Sequence, residues 1–172
     1  MSDETKQWRD ALYNASVEAI DRGWCVIPLS LEGKKPLISW KKFQTEPTTQ
    51  DQLDDWFDNG VMTEGGNRVT LFNMALVTGA ISGVIVLDCD TEKAVQFAVK
   101  NDMTSPCVVS TARGTHFYFA HPKNGQRFAN KVGNTARDWY PVEGLDLRGD
   151  GGYVVMPPSA KIRHGKAEHI YH

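Results

Sequence analysis

The chain has 172 residues, 41% of them apolar and 10% aromatic, which is enough for one well-packed domain and short for two. A formal net charge of −2 argues against a generic polyanion binder, and no apolar run is long enough to span a bilayer. The polar, acidic start MSDETKQWRD is unlike a secretory signal, so the expectation is one cytoplasmic domain over residues 1–172.

Trp8, Leu12, Ala15, Ala19 and Ile20 recur at helical spacing and predict an amphipathic helix over residues 3–22, stopped by Gly23. WCVIPL (24–29) predicts a short buried strand, and the basic loop GKKPLISWKKF follows. Thr49 to Gln52 carries the capping-box pattern and opens a short acidic helix that stops at Gly60; residues 61–72 read as loop. Strands are expected at Met74 to Thr78 and Val84 to Asp88, a helix at Thr91 to Asn101, and strands at Cys107 to Ser110 and His116 to Ala120. Further strands are expected at Gly144 to Arg148, Tyr153 to Met156 and His169 to Tyr171. The short glycine-containing turns favour antiparallel hairpins over repeated βαβ units. The fold class is therefore α+β, with a mixed, mostly antiparallel sheet and flanking helices. Cys25, Cys89 and Cys107 fall singly in these strands with no CxxC pair, and read as reduced core residues.

Charge is unevenly distributed. Met103 to Arg137 contains no acid but carries Arg113, Lys123, Arg127, Lys131 and Arg137 with His116 and His121. Lys34, Lys35, Lys41 and Lys42 form a second basic tract, and Lys161, Arg163 and Lys166 a third. Basic tracts beside paired acids suit metal-bridged phosphate chemistry, although any single lysine is better read as part of a solvated face.

Three motifs carry chemistry. In SGVIVLDCD an apolar run ends in Asp88 and Asp90, which share a strand face while Cys89 takes the other. Paired carboxylates call for a cation, and hard oxygen ligands favour Mg²⁺ or Mn²⁺; the plain alternative is that Asp90 or Thr91 caps the following helix. In STARGTHFYF, Phe117 and Phe119 face the core and His116 and Tyr118 the opposite side. Ser110, Thr111, Arg113, Gly114, Thr115 and His116 can all donate to phosphate, and an ordinary hairpin with a surface histidine is the alternative. In GLDLRGDGGYVVMPPS, Asp146 and Arg148 share a face, either completing a metal site or simply pairing with each other, and Asp150-Gly151-Gly152 reads as a hairpin turn. Removing one member of a like-charged cluster should relieve repulsion, so loss of Asp88 is expected to leave stability intact or raise it.

In this order the motifs resemble those of the bifunctional primase-polymerases of the archaeo-eukaryotic primase superfamily, in the N-terminal domain of the plasmid and phage type. The segments RGWCVIPL, GKKPLISWKKFQTEPTTQDQLDDWF and NMALVTG extend the likeness over nearly the whole chain. The resemblance implies an RRM-like catalytic core in the N-terminal part of a longer replication protein. It implies template-directed nucleotidyl transfer by a two-metal mechanism, with Mg²⁺ or Mn²⁺ on Asp88, Asp90 and Asp146. It places the triphosphate on His116, Arg113 and the neighbouring hydroxyls, with Arg148 and Lys35 as further phosphate or template contacts. The implied partners are a single-stranded DNA template and primer, an NTP or dNTP, and a helicase. Arg113 and Gly114 stand where relatives often have two glycines, and no zinc stem is present. Two rival classes remain: a non-catalytic nucleic-acid-binding replication module, and a DxD glycosyltransferase, against which the hairpin-rich pattern argues.

Overall fold

The computed structural model describes residues 1–32, 34–122, 124–133, 142–163 and 166–172. Lys123 and Arg137 of the basic tracts lie outside the described residues, as do the side chains of Arg163 and Lys166.

Helix α1 (Asp3–Asp21) starts at Ser2, whose hydroxyl accepts the Thr5 N–H, and Asp3 and Glu4 complement the positive end of its dipole. It stops at Gly23, where φ is +78°. Strand β1 (Val26–Leu29) follows, then a single 3₁₀ turn (Lys41–Gln44). Helix α2 (Gln50–Asn59) begins with the capping box, Thr49 and Gln52 satisfying each other's main chain. Residues 61–72, expected as loop, contain a minimal hairpin of β2 (Val61–Met62) and β3 (Arg68–Val69). Strand β4 (Asn73–Val77) leads to β5 (Val84–Cys89), and α3 (Glu92–Lys100) follows. Then come β6 (Val108–Ser110), β7 (Thr115–Ala120), β8 (Leu145–Arg148) and β9 (Tyr153–Val155). The chain closes on β10 (Ala160–Arg163), a strand not expected above, and β11 (Lys166–Ile170).

The strands form two main antiparallel sheets, one ordered β1-β4-β9 and the other β6-β7-β5-β8, with β10-β11 a separate hairpin. The architecture is the α+β class expected. One expectation is corrected: β8 and β9 are not a hairpin, because β8 pairs with β5 while β9 pairs with β4 in the other sheet. The glycine-rich segment between them is a crossover. It runs beside the β4-to-β5 crossover, to which Thr78 ties it by donating its N–H to the Gly152 carbonyl and its hydroxyl to the Gly149 carbonyl, at 2.9 and 2.7 Å. A Cβ on Gly79, in the β4-to-β5 crossover, would stand 2.7 Å from the Asp150 Cα, so only glycine lets the two segments meet.

The four-stranded sheet is buried on both faces. Leu87, Cys89, Phe117 and Leu145 pack on Ala94 and Ala98 of α3. Val84, Val86, Val109 and Tyr118 face the other way and join the larger core, with β1, β4, Leu12 and Leu53. Both β1 and β4 are buried along their whole length, which explains their continuous rather than alternating apolar runs. Cys25 and Cys89 are core thiols as expected, but Cys107 is exposed, because β6 begins one residue after it.

Asp150 locks the crossover. Its two carboxylate oxygens accept the N–H groups of Ala80 and Phe128 at 2.8 and 2.7 Å, and these bonds with the nearby His121 outweigh partial burial and hold its carboxyl below the usual range. Asp150→Ala should therefore cost about 1–3 kcal/mol, read as a lower urea midpoint with an unchanged slope.

Candidate active site

The register of β5 builds the site. Asp88 stands opposite His116 of β7 on one side and opposite Asp146 of β8 on the other, so three polar side chains form a row on the face away from α3. Arg148, two residues beyond Asp146, shares that face and bridges the acids. Its Nη2 lies 2.7 Å from Asp146 Oδ2 and 3.4 Å from Asp88 Oδ2. Asp146 Oδ1 accepts the Gly133 N–H at 3.0 Å. Burial by itself would raise the Asp88 carboxyl, but His116, Arg148 and Lys34 outweigh it and hold the group below the usual carboxylate range.

One side of Asp88 remains unsatisfied. His116 Nε2 is 3.3 Å from Asp88 Oδ1 without hydrogen-bond alignment, and both that oxygen and His116 Nδ1 are buried with no hydrogen-bond partner among the described residues. His116 is itself 1% exposed.

Asp90 behaves differently from expectation. The strand ends at Cys89, so Asp90 leaves the pleat; its N–H is bound by the Gly144 carbonyl at 2.7 Å and its Oδ2 lies 2.6 Å from Arg113 Nη2. Helix α3 is capped by Thr91, whose hydroxyl accepts the Ala94 N–H, and this leaves the Asp90 carboxylate free of capping duty. Among the described residues, no three His, Cys, Asp or Glu side chains form a ready ligand set. The cation that the paired acids demand is supplied in the structure by two guanidinium groups.

Two adjoining clefts open onto these residues and share Lys34 and Val155. One is lined by Asp88, His116, Asn130 and Arg148, the other by Asp90, Thr111, Arg113 and Tyr171. The phosphate-binding residues expected from sequence therefore divide. Arg148 and His116 belong to the first cleft and Arg113 to the second. His116 turns its Nε2 to Asp88 rather than outward to a ligand. Thr111 spends its hydroxyl oxygen on the turn, accepting the N–H groups of Arg113 and Gly114 at 3.3 and 3.0 Å. Gly114 is a spacer, since a Cβ there would stand 1.9 Å from the Cys89 carbonyl oxygen. Ser110 and Thr115 face each other across the β6-β7 pair and line neither cleft, and Lys35 lines neither; Lys34 takes the place foreseen for it. Tyr118 lies in a third, apolar groove with Cys107, Val109 and Met156, away from the acids. Two lining residues go unforeseen by the sequence: Asn130, in a segment with no legible periodicity, and Tyr171, at the end of an expected strand but outside any of the three motifs. Asn130 accepts the Gly149 N–H and donates to the Gly151 carbonyl, at 2.8 and 3.1 Å, and so fixes the turn just beyond Arg148. Tyr171 is buried, and burial together with Asp90 and Asp88 raises its phenol above the ordinary value.

An α+β domain that gathers carboxylates, arginines and a lysine around a divided cleft is equipped for phosphoryl chemistry on a nucleotide. The profile of the family described as bifunctional DNA primase/polymerase, N-terminal, matches residues 16–172, and the chain belongs to that family. It is thus a primase/polymerase-type nucleotidyltransferase, from a family that generally depends on divalent metal. No curated protein matches the chain. No described helix is long and apolar enough to cross a membrane.

The expected relief on removing Asp88 is corrected by this geometry: the carboxylate is held by attraction to Arg148 and His116, and its loss strands both in a buried setting. Asp88→Ala should lower stability by about 3 kcal/mol at neutral pH. Because the folded carboxyl titrates below its unfolded value, the difference from wild type should shrink as pH falls below about 4, measured by urea unfolding across pH.

Proposed function

We propose that the chain catalyses template-directed nucleotidyl transfer on single-stranded DNA, as primase, polymerase or both, with Mg²⁺ or Mn²⁺ held by Asp88, Asp90 and Asp146. The observation that carries this is the pairing of Asp88 with Asp146 across β5 and β8, with Asp88 Oδ1 buried and lacking a hydrogen-bond partner among the described residues. Carboxylate oxygens alone make a donor set that suits a hard divalent cation. A cation bound there would neutralise phosphate charge and favour attack by a primer 3′ oxygen, the chemistry of a two-metal site.

The protein's own residues supply the rest. Arg148 and Arg113 are forks that match phosphate oxygens as well as carboxylates, and Lys34 is shared by both clefts, so the three can hold a triphosphate along the acids. His116 acts as a positioning residue: set against Asp88 and almost wholly buried, it fixes the direction of that carboxylate. Asn130 keeps the Gly149–Gly152 turn in place and with it Arg148. The replication context, a phage, plasmid or integrated element with a partner helicase, follows from the resemblance of the motifs.

Primer extension on a primed single-stranded DNA template with Mn²⁺ or Mg²⁺ tests the reading. Asp88→Asn and Asp146→Asn should each abolish product; product from both variants at the wild-type rate would remove these acids from the reaction, and no product from wild type would leave only a binding module. Arg148→Ala should raise the nucleotide KM by about 30-fold, equivalent to about 2 kcal/mol for a lost charge-assisted contact. His116→Ala should instead lower kcat with the nucleotide KM nearly unchanged, which separates positioning of Asp88 from contact with the triphosphate.

A further inference from the structure

Val155 lines both clefts, and Tyr153, two residues earlier on β9, shares its strand face. Tyr153 lines the Asp88 cleft, meets the Trp40 ring edge-on at 5.0 Å and donates its hydroxyl to the Lys34 carbonyl at 2.9 Å. Burial raises its phenol above the ordinary value, with Arg148 opposing, so at neutral pH the group is a donor.

The bond matters because of what Lys34 does. The turn that carries it is closed at its base by main chain alone: the Ser30 N–H donates to the Lys35 carbonyl at 2.8 Å and the Leu37 N–H to the Pro28 carbonyl at 3.0 Å. Lys34 itself makes no other hydrogen bond among the described residues. It is exposed, yet it lines both clefts, and its positive charge is felt at Asp88. A lysine stem on an exposed turn samples many rotamers, and fixing the main chain beneath it narrows where the ammonium can stand.

We propose that Tyr153 is a positioning residue for Lys34: its hydroxyl holds the Lys34 main chain so that the ammonium stands at the join of the two clefts and meets the triphosphate there. The proposal rests on the nucleotidyl-transfer reading above. It goes beyond a phosphate contact by Lys34, because Tyr153 acts only through the main chain of its neighbour and needs no contact with the ligand.

The test is calorimetric titration with Mg²⁺ and ATP or dATP, whichever wild type binds more tightly, on wild type, Lys34→Ala, Tyr153→Phe and the double variant. Tyr153→Phe keeps the ring against Trp40, and Lys34→Ala keeps the carbonyl that the phenol binds. Lys34→Ala should weaken binding about tenfold or more and Tyr153→Phe about fivefold, for a lost charge-assisted contact and a lost neutral hydrogen bond respectively. The double variant should bind as Lys34→Ala does, since an ammonium that is gone cannot be misplaced. A loss on Tyr153→Phe that persists in the Lys34→Ala background means that Tyr153 touches the ligand or holds the cleft wall, and overturns the proposal. Unchanged affinity in Tyr153→Phe overturns it as well. In primer extension Tyr153→Phe should raise the nucleotide KM with kcat nearly unchanged, and a fall in kcat at constant KM overturns the assignment. A wild type that shows the coupling in binding yet extends no primer leaves the role of Tyr153 intact and counts instead against the reaction assigned above. A wild type that binds neither triphosphate overturns both.

Discussion

An ionised carboxylate can stay in the middle of a packed sheet only if positive charge reaches it, and one register satisfies that condition here. With β5 between β7 and β8, Asp88 has His116 on one flank and Asp146 on the other, and Arg148 falls within reach of both acids. Because side chains alternate with period two, a slip of β5 by one residue would send Asp88 into the apolar cluster beneath α3. The hydrophobic pattern of Leu87, Cys89, Phe117 and Leu145 therefore fixes the polar row as firmly as the polar row fixes itself.

The arginines tie this row to the cleft. Each is a counter-ion in the folded protein, Arg148 for Asp88 and Asp146, Arg113 for Asp90. A guanidinium fork binds phosphate with the same geometry, so the groups that stabilise the acids are also those able to receive a triphosphate. Folding and ligand binding draw on the same cations, and the surroundings reflect this: Asn130 and Thr78 hold the main chain just beyond Arg148, and Lys131 pairs with Leu147 just before it.

Much of this was legible in the sequence, for physical reasons that also mark where legibility stopped. The faces of Asp88, His116, Asp146 and Arg148 follow from strand alternation, and the capping box at Thr49 and the stop at Gly23 are local events. The pairing of Asp90 with Arg113 is not legible, because it joins a residue just past β5 to a turn that is distant in sequence. The β8-β9 crossover was misread because a glycine-rich turn looks alike whether the strands it joins pair or part. Lys34 lies outside repeating structure, where neighbours in sequence give no hint of neighbours in space, so the sequence points to Lys35 as readily as to Lys34.

The edges of the four-stranded sheet carry one more consequence. On β6 the Ser110 N–H is taken by the His172 carbonyl, and on β8 Leu147 exchanges main-chain bonds with Lys131. An edge so occupied offers few unpaired amides to an incoming strand. A peptide partner thus has little scope to dock by strand addition at these positions.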